Sequence, residues 1–100
     1  MVKHLVMWRI RRRSDAEDPG ELQGQILRTV DSMRQGIDGL RFLEVGFNRR
    51  HAADAADLAL YSEFDTWDAL VAYEAHPLHG ELKDLIGPLR AERRVVDYEI

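Results

Sequence analysis

Apolar residues alternate with a period of two in several short runs and recur at helical spacing between them. Val2 to Ile10 reads as a strand, with Val2, His4, Val6, Trp8 and Ile10 on one face and Leu5 and Met7 on the other. Apolar residues on both faces predict a strand covered on both sides. Arg9 and Arg11 to Arg13 end it and read as a solvated edge, since acidic residues follow at once. Ser14 to Gly20 reads as a loop punctuated by Pro19-Gly20. Leu22, Ile26, Val30, Met33 and Ile37 then mark one face of a helix, widened by Leu27 and stopped by Asp38-Gly39.

Leu40 to Phe47 predicts a second strand, with Leu43, Val45 and Phe47 on one face and Phe42, Glu44 and Gly46 on the other. Asn48 to Asp57 is a polar, alanine-rich connection, and His51 within it is expected in solvent. Leu58 to Phe64 is a third strand, where Leu58, Leu60, Ser62 and Phe64 alternate with Ala59, Tyr61 and Glu63. Asp65 or Thr66 caps the next helix, whose stripe reads as Trp67, Leu70, Val71 and Glu74, with Tyr73 beside it. Pro77 cannot continue that helix but suits the first position of a new one. Leu78, Leu82, Leu85, Ile86 and Leu89 form the new helix's apolar face, interrupted at Gly87-Pro88. Glu92 to Ile100 closes the chain as a strand, with the adjacent Val95 and Val96 making both faces apolar.

The order β-α-β-β-α-α-β predicts an α+β, ferredoxin-like fold: a split β-α-β with a four-stranded antiparallel sheet and helices on one face. Leu5, Met7, Ala59 and Tyr61 then stand on the uncovered face. An apolar patch of that extent calls for a cover, and the simplest is a second copy packed sheet to sheet, a two-fold homodimer.

At 100 residues the chain is expected to be one domain, 1–100. A net charge of −4 argues against nucleic acid as a partner. The absence of cysteine excludes disulfides, thiolate zinc sites and cysteine nucleophiles. No apolar run reaches bilayer length and the first residues carry no leader pattern, so no membrane association and a cytoplasmic location are expected. His76 and His79 are three apart with no acidic partner at ligand spacing, so no metal is expected. The stretch Asp65–Gly80 gathers two of the four histidines next to a tyrosine, and any chemistry is expected there.

Five segments together resemble the stress-responsive dimeric α/β-barrel (Dabb) family. They are Val2-Lys3-His4-Leu5-Val6-Met7-Trp8, Gly39-Leu40 leading into Leu43-Glu44-Val45-Gly46, Ala56 to Asp65, Tyr73-Glu74-Ala75-His76-Pro77-Leu78-His79, and Arg94 to Glu99. The resemblance spans the chain and implies a ferredoxin-like subunit whose sheet packs on its mate's to form a dimeric α/β barrel. One plant member of that family, olivetolic acid cyclase, closes a linear tetraketide by a cofactor-free aldol condensation. Its catalytic tyrosine and histidine fall on Tyr73 and His79, and its first-strand pocket histidine falls on His4. Its pocket lies between sheet and helices, so the resemblance points His4, Val6, Trp8, Leu58, Leu60 and Ser62 inward; His4, Val6, Trp8, Leu60 and Ser62, with Trp67 and His76 from the Asp65–Gly80 stretch, are the substrate-contacting candidates. The aromatic residues on the cyclase's first helix fall near Ile26, Leu27 and Val30, and Trp8 replaces a smaller side chain.

The chemistry this implies is proton removal α to a carbonyl by His79, with Tyr73 donating to the enolate oxygen and His4 positioning. A small apolar or carbonyl-containing ligand follows from that reading, with cyclase or lyase activity. Each residue also has a structural reading: Tyr73 in the core, His76 as a helix cap, His79 bonded within its turn, His4 as a satisfied buried histidine. A non-catalytic stress-response homodimer, with a core filled by Trp8 and Leu60, is therefore the second reading. A cofactor-free monooxygenase is the third, from enzymes that share the dimeric barrel.

Overall fold

The computed structural model describes residues 1–11 and 19–100. The elements are β1 (Val2–Ile10), α1 (Pro19–Gly36), β2 (Leu40–Phe47), β3 (Leu58–Phe64), α2 (Trp67–Ala75), α3 (Pro77–Ile86), a 3₁₀ turn (Gly87–Leu89) and β4 (Arg90–Glu99). The four strands form one antiparallel sheet in the order β2-β3-β1-β4. β3 therefore lies between β1 and β2, the two strands that α1 connects, which is the split β-α-β arrangement predicted from the element order.

One sheet face is buried under the helices. Val2, His4, Val6 and Trp8 on β1 and Leu58, Leu60, Ser62 and Phe64 on β3 are all buried, as the alternation requires. Ile26, Val30, Met33 and Ile37 of the first helical stripe, Leu70 and Tyr73 of α2, and Leu82 and Ile86 of α3 close the core over them. The opposite face is open: Met7, Phe42, Val96 and Tyr98 are exposed, and Leu5 and Tyr61 are half-buried. The two-sided cover expected for β1 is thus absent within the subunit.

Several local expectations are corrected. α1 begins at Pro19, inside the predicted loop, because proline's fixed φ and missing N–H suit a first helical position. Residues 12–18, which include Arg12, Arg13 and most of that loop, lie outside the described residues. Leu27 does not widen the buried stripe: it is 45% exposed, one position and about 100° around the helix from Ile26. On α2 the buried side is Leu70 and Tyr73, while Trp67 and Val71 face out. Leu89 is buried from the 3₁₀ turn rather than from α3, and that turn redirects the chain so that β4 starts at Arg90, two residues earlier than Glu92.

β2 carries a bulge that alternation does not reveal. Leu40 pairs with Phe64 but Phe42 pairs with Glu63, so Arg41 is the extra residue. The bulge lets Leu40 pack against the core while Phe42 faces the open side. Arg41 is tied by two charge-assisted bonds from Nε to Asp65, at 2.7 and 2.8 Å. Thr66, not Asp65, caps α2, accepting from the Ala69 N–H at 3.1 Å.

Gly39 opens β2 at φ 80°, in the left-handed region. A Cβ there would stand 2.7 Å from the Ala69 Cβ, so the glycine allows both the turn and the close seating of α2. Gly39→Ala is expected to destabilise the fold by about 2 kcal/mol or more through backbone strain plus the clash, read as a lower denaturant midpoint at unchanged m-value.

Candidate functional site between sheet and helices

The residue before a proline is biased toward extended backbone, and His76 adopts it at φ −72°, ψ 141°. α2 therefore ends at Ala75 and α3 restarts at Pro77 in a new direction. The His76 N–H donates to the Tyr73 carbonyl at 3.1 Å, closing α2. Its Nδ1 accepts from the Leu78 N–H at 3.0 Å, capping α3. His76 thus spends its Nδ1 on the break itself and keeps only Nε2 for any other partner. The break carries His79, in the first turn of α3, back against Tyr73 near the end of α2.

Tyr73 is fully buried, and its ring touches three others. Ring centroids lie 4.9 Å from Phe64, 4.7 Å from His79 and 6.0 Å from His4, the last edge-on. His4 projects from the centre of β1, 2% exposed. Its Nδ1 meets the Asp97 carboxylate of β4, directly across the β1–β4 ladder. Ser62, paired across from His4 on β3, donates its hydroxyl to the His4 carbonyl at 3.3 Å. Val6, Trp8 and Leu60 continue the same buried face.

Two polar atoms in this cluster stand out. The Tyr73 hydroxyl and the His79 Nδ1 are both buried and have no hydrogen-bond partner among the described residues. A buried hydroxyl left unsatisfied costs about 1–3 kcal/mol. Burial holds the Tyr73 phenol far above its ordinary pKa, with Glu74 adding to the shift and Arg93 opposing it. Tyr73 is therefore protonated at neutral pH, a donor. Burial also pushes His79 below its ordinary value, helped by the charges of Lys83, His4 and Arg93, while a contact with the Glu74 backbone pulls the other way. His79 is therefore mainly neutral at pH 7, with a lone pair to offer.

Trp67 is not brought to this cluster. It lies 44% exposed, with Nε1 donating to Glu99 at 2.9 Å. His51 is exposed on the β2–β3 connection. Two surface clefts of about 400 Å³ each lie elsewhere, one along Gln25, Arg28 and Glu81 and one along Arg9, Arg11, His51 and Asp57; neither includes His4, Tyr73 or His79. Among the described residues no three histidine, aspartate or glutamate side chains gather as metal ligands. The residue that sequence reasoning missed is Asp97. Only its register opposite His4 reveals it, and that register is set by the sheet.

These features define a ferredoxin-like α+β subunit with a histidine–tyrosine–histidine group between sheet and helices. The chain belongs to the stress-responsive A/B barrel domain (Dabb) family, whose model matches residues 2–100. It is 32% identical over 79 residues to an uncharacterised protein of Streptomyces coelicolor, covering 79% of each chain. A dimeric protein of unknown function with a ferredoxin-like fold from Bacteroides fragilis superposes with a TM-score of 0.85 at 29% identity, covering 99% of this chain and 95% of that one. The hydroxynitrile lyase of Passiflora edulis shares the fold at 17% identity, with a TM-score of 0.78 and coverage of 99% and 92%. So does a candidate antibiotic biosynthesis monooxygenase of Nitrosomonas europaea, at 15% identity, TM-score 0.75 and coverage of 100% and 98%.

Filling the Tyr73 position with a side chain that has no hydroxyl removes an unsatisfied buried group. Tyr73→Phe is expected to leave the ligand-free protein as stable as the wild type or about 1 kcal/mol more stable in chemical denaturation. A loss of 2 kcal/mol would mean that the hydroxyl has a structural partner.

Proposed function

We propose that this protein is a homodimer that binds a small carbonyl-containing molecule between sheet and helices and acts on it without a cofactor. The observation that carries the reading is the pair of buried, unpartnered polar atoms, the Tyr73 hydroxyl and the His79 Nδ1, on rings in direct contact. A protein core rarely keeps two such groups side by side unless something else satisfies them.

Their protonation states suit complementary roles. Neutral His79 removes a proton α to the substrate carbonyl, and the C–H electron pair becomes the enolate double bond. The oxygen gains the negative charge and accepts a hydrogen bond from the Tyr73 O–H. His79, now an imidazolium, returns the proton to the alkoxide formed when the enolate carbon attacks a second carbonyl, or to the oxygen or carbon of a product fragment. Aldol cyclisation and β-elimination by a lyase share this first step. The His4 ring is held by Asp97 at the edge of the Tyr73 ring, a positioning role.

A second reading has its own support. Trp8 and Leu60 are buried in the same contiguous core, and the two surface clefts lie elsewhere. On that reading the protein is a non-catalytic dimer with a filled interior.

The test is deuterium exchange at the α-carbon of a panel of ketones, neutral and carboxylate-bearing, followed by NMR. Exchange above the buffer rate is expected with the wild type. His79→Asn should abolish it, and Tyr73→Phe should slow it by roughly 10²-fold. Since the His79 pKa is depressed, the rate should be flat from about pH 6.5 upward and fall only on the acid side of the ordinary histidine value. No exchange and no binding across the panel would favour the filled-core dimer. Oxygen consumption with phenols would instead indicate a monooxygenase.

The dimer rests on the open sheet face. Its apolar residues, Leu5, Met7, Phe42 and Val96, surround a polar group whose atoms are already paired. The Tyr61 hydroxyl donates to Glu63 at 2.6 Å, and Lys3 reaches Glu63 at 3.3 Å. Such a face can be covered without stranding a donor. Sedimentation equilibrium at micromolar concentration is expected to give twice the chain mass, and Met7→Glu to shift it toward the monomer.

A further inference from the structure

β4 is an edge strand hydrogen-bonded to β1 alone, and its alternation sorts its charges. Arg93, Val95 and Asp97 pair across from Trp8, Val6 and His4, so they share the helix-facing side of the sheet. Asp97 shows this directly by reaching the buried His4 ring. Yet Val95, on that same side, is 46% exposed, so the helices leave the middle of β4 open, with Trp67 of α2 reaching only its end at Glu99. The helix-facing side of β4 is therefore an open flank of the His4–Tyr73–His79 group. Of the other charged residues on that side, Asp97 is occupied with His4, Glu99 accepts from Trp67 Nε1, and Arg90 stands across from Ile10 at the far end of the strand. Arg93 makes no ion pair among the described residues; other arginines share that lack, but Arg93 is the one whose charge acts on both Tyr73 and His79.

The charge of Arg93 is nonetheless felt inside. It lowers the pKa of both Tyr73 and His79, while Lys83, one turn beyond His79 on α3, acts on His79 only. A guanidinium that is unpaired and exposed, yet close enough to bias two buried groups, suits a ligand anion well, because its planar donor fork matches a carboxylate.

We propose that Arg93 is the specificity residue of this site, holding the carboxylate of a keto-acid substrate whose carbonyl reaches Tyr73 and His79. The proposal rests on the binding site of the preceding subsection and names its substrate class. The carboxylate lies at the β4 flank, half in water, where an Arg–carboxylate pair avoids the full cost of desolvation. The reacting carbonyl lies inward, where the Tyr73 donor is dry and strongest.

The experiment compares keto acids of six to twelve carbons with their methyl esters, by calorimetric binding and by α-deuterium exchange. The wild type is expected to bind the acids roughly tenfold more tightly than the esters. Arg93→Leu should remove that preference by weakening the acids and leaving the esters unchanged. Arg93→Lys should keep part of it, and Lys83→Gln should keep all of it. Equal binding of acids and esters by the wild type, or equal weakening of both by Arg93→Leu, overturns the role of Arg93 and leaves the site reading intact. Loss of the preference in Lys83→Gln instead reassigns the anion to α3 and overturns it too. Failure of the wild type to bind either series defeats the site reading, and Arg93 falls with it.

Discussion

β1 is the constraint on which the other elements depend. It lies between β3 and β4, and its helix-facing side is sealed by the core. Strand alternation makes every second residue of β1 an interior residue, whatever its chemistry. His4 is one of them, so a titratable ring is carried to the middle of the interior between Val2 and Val6. A buried imidazole must find a partner, and the sheet supplies one in register, Asp97 on β4. The polar group at the centre of the subunit is therefore a consequence of one residue's parity on one strand.

The second determinant is the break at His76-Pro77. A continuous helix from Trp67 to Ile86 would place Tyr73 and His79 six residues apart, about 240° around the axis and on different faces. Proline forbids that path, and the extended His76 turns α3 back so that the two rings touch. The cost is local and visible: a hydroxyl and a ring nitrogen are buried without partners. Natural cores tolerate such groups mainly where function holds them, and here they stand beside the one interior histidine that the sheet does satisfy.

Element order, the helix-facing residues of β1 and β3, the Pro77 restart and the one-sided cover were all legible in the chain. Each depends on local periodicity or on proline's covalent geometry. Helix faces were harder. Leu27, Trp67 and Val71 fit an apolar stripe in the sequence but point to solvent, because the exact rotation of a helix is chosen by what it packs against. The bulge at Arg41 was hidden for a related reason: an inserted residue is defined by its partner strand, and Leu40 turns inward only because Phe64 and Glu63 fix the pairing. The cap role of His76 was legible beside its reading as a ligand contact, and the geometry at Leu78 gives the cap.

The sequence by itself determined the fold class, the family signature from Tyr73 to His79 and the apolar residues that no helix of the subunit covers. These follow from spacings within short segments, which local chemistry reads directly. Only the tertiary structure decided that Asp97 meets His4, that Arg93 shares their side of the sheet, and that the Tyr73 hydroxyl and the His79 Nδ1 are left unpaired. Those facts join residues up to 93 positions apart through the β1–β4 register. A one-residue slip in that register would turn Asp97 and Arg93 to the opposite face without altering a single local pattern.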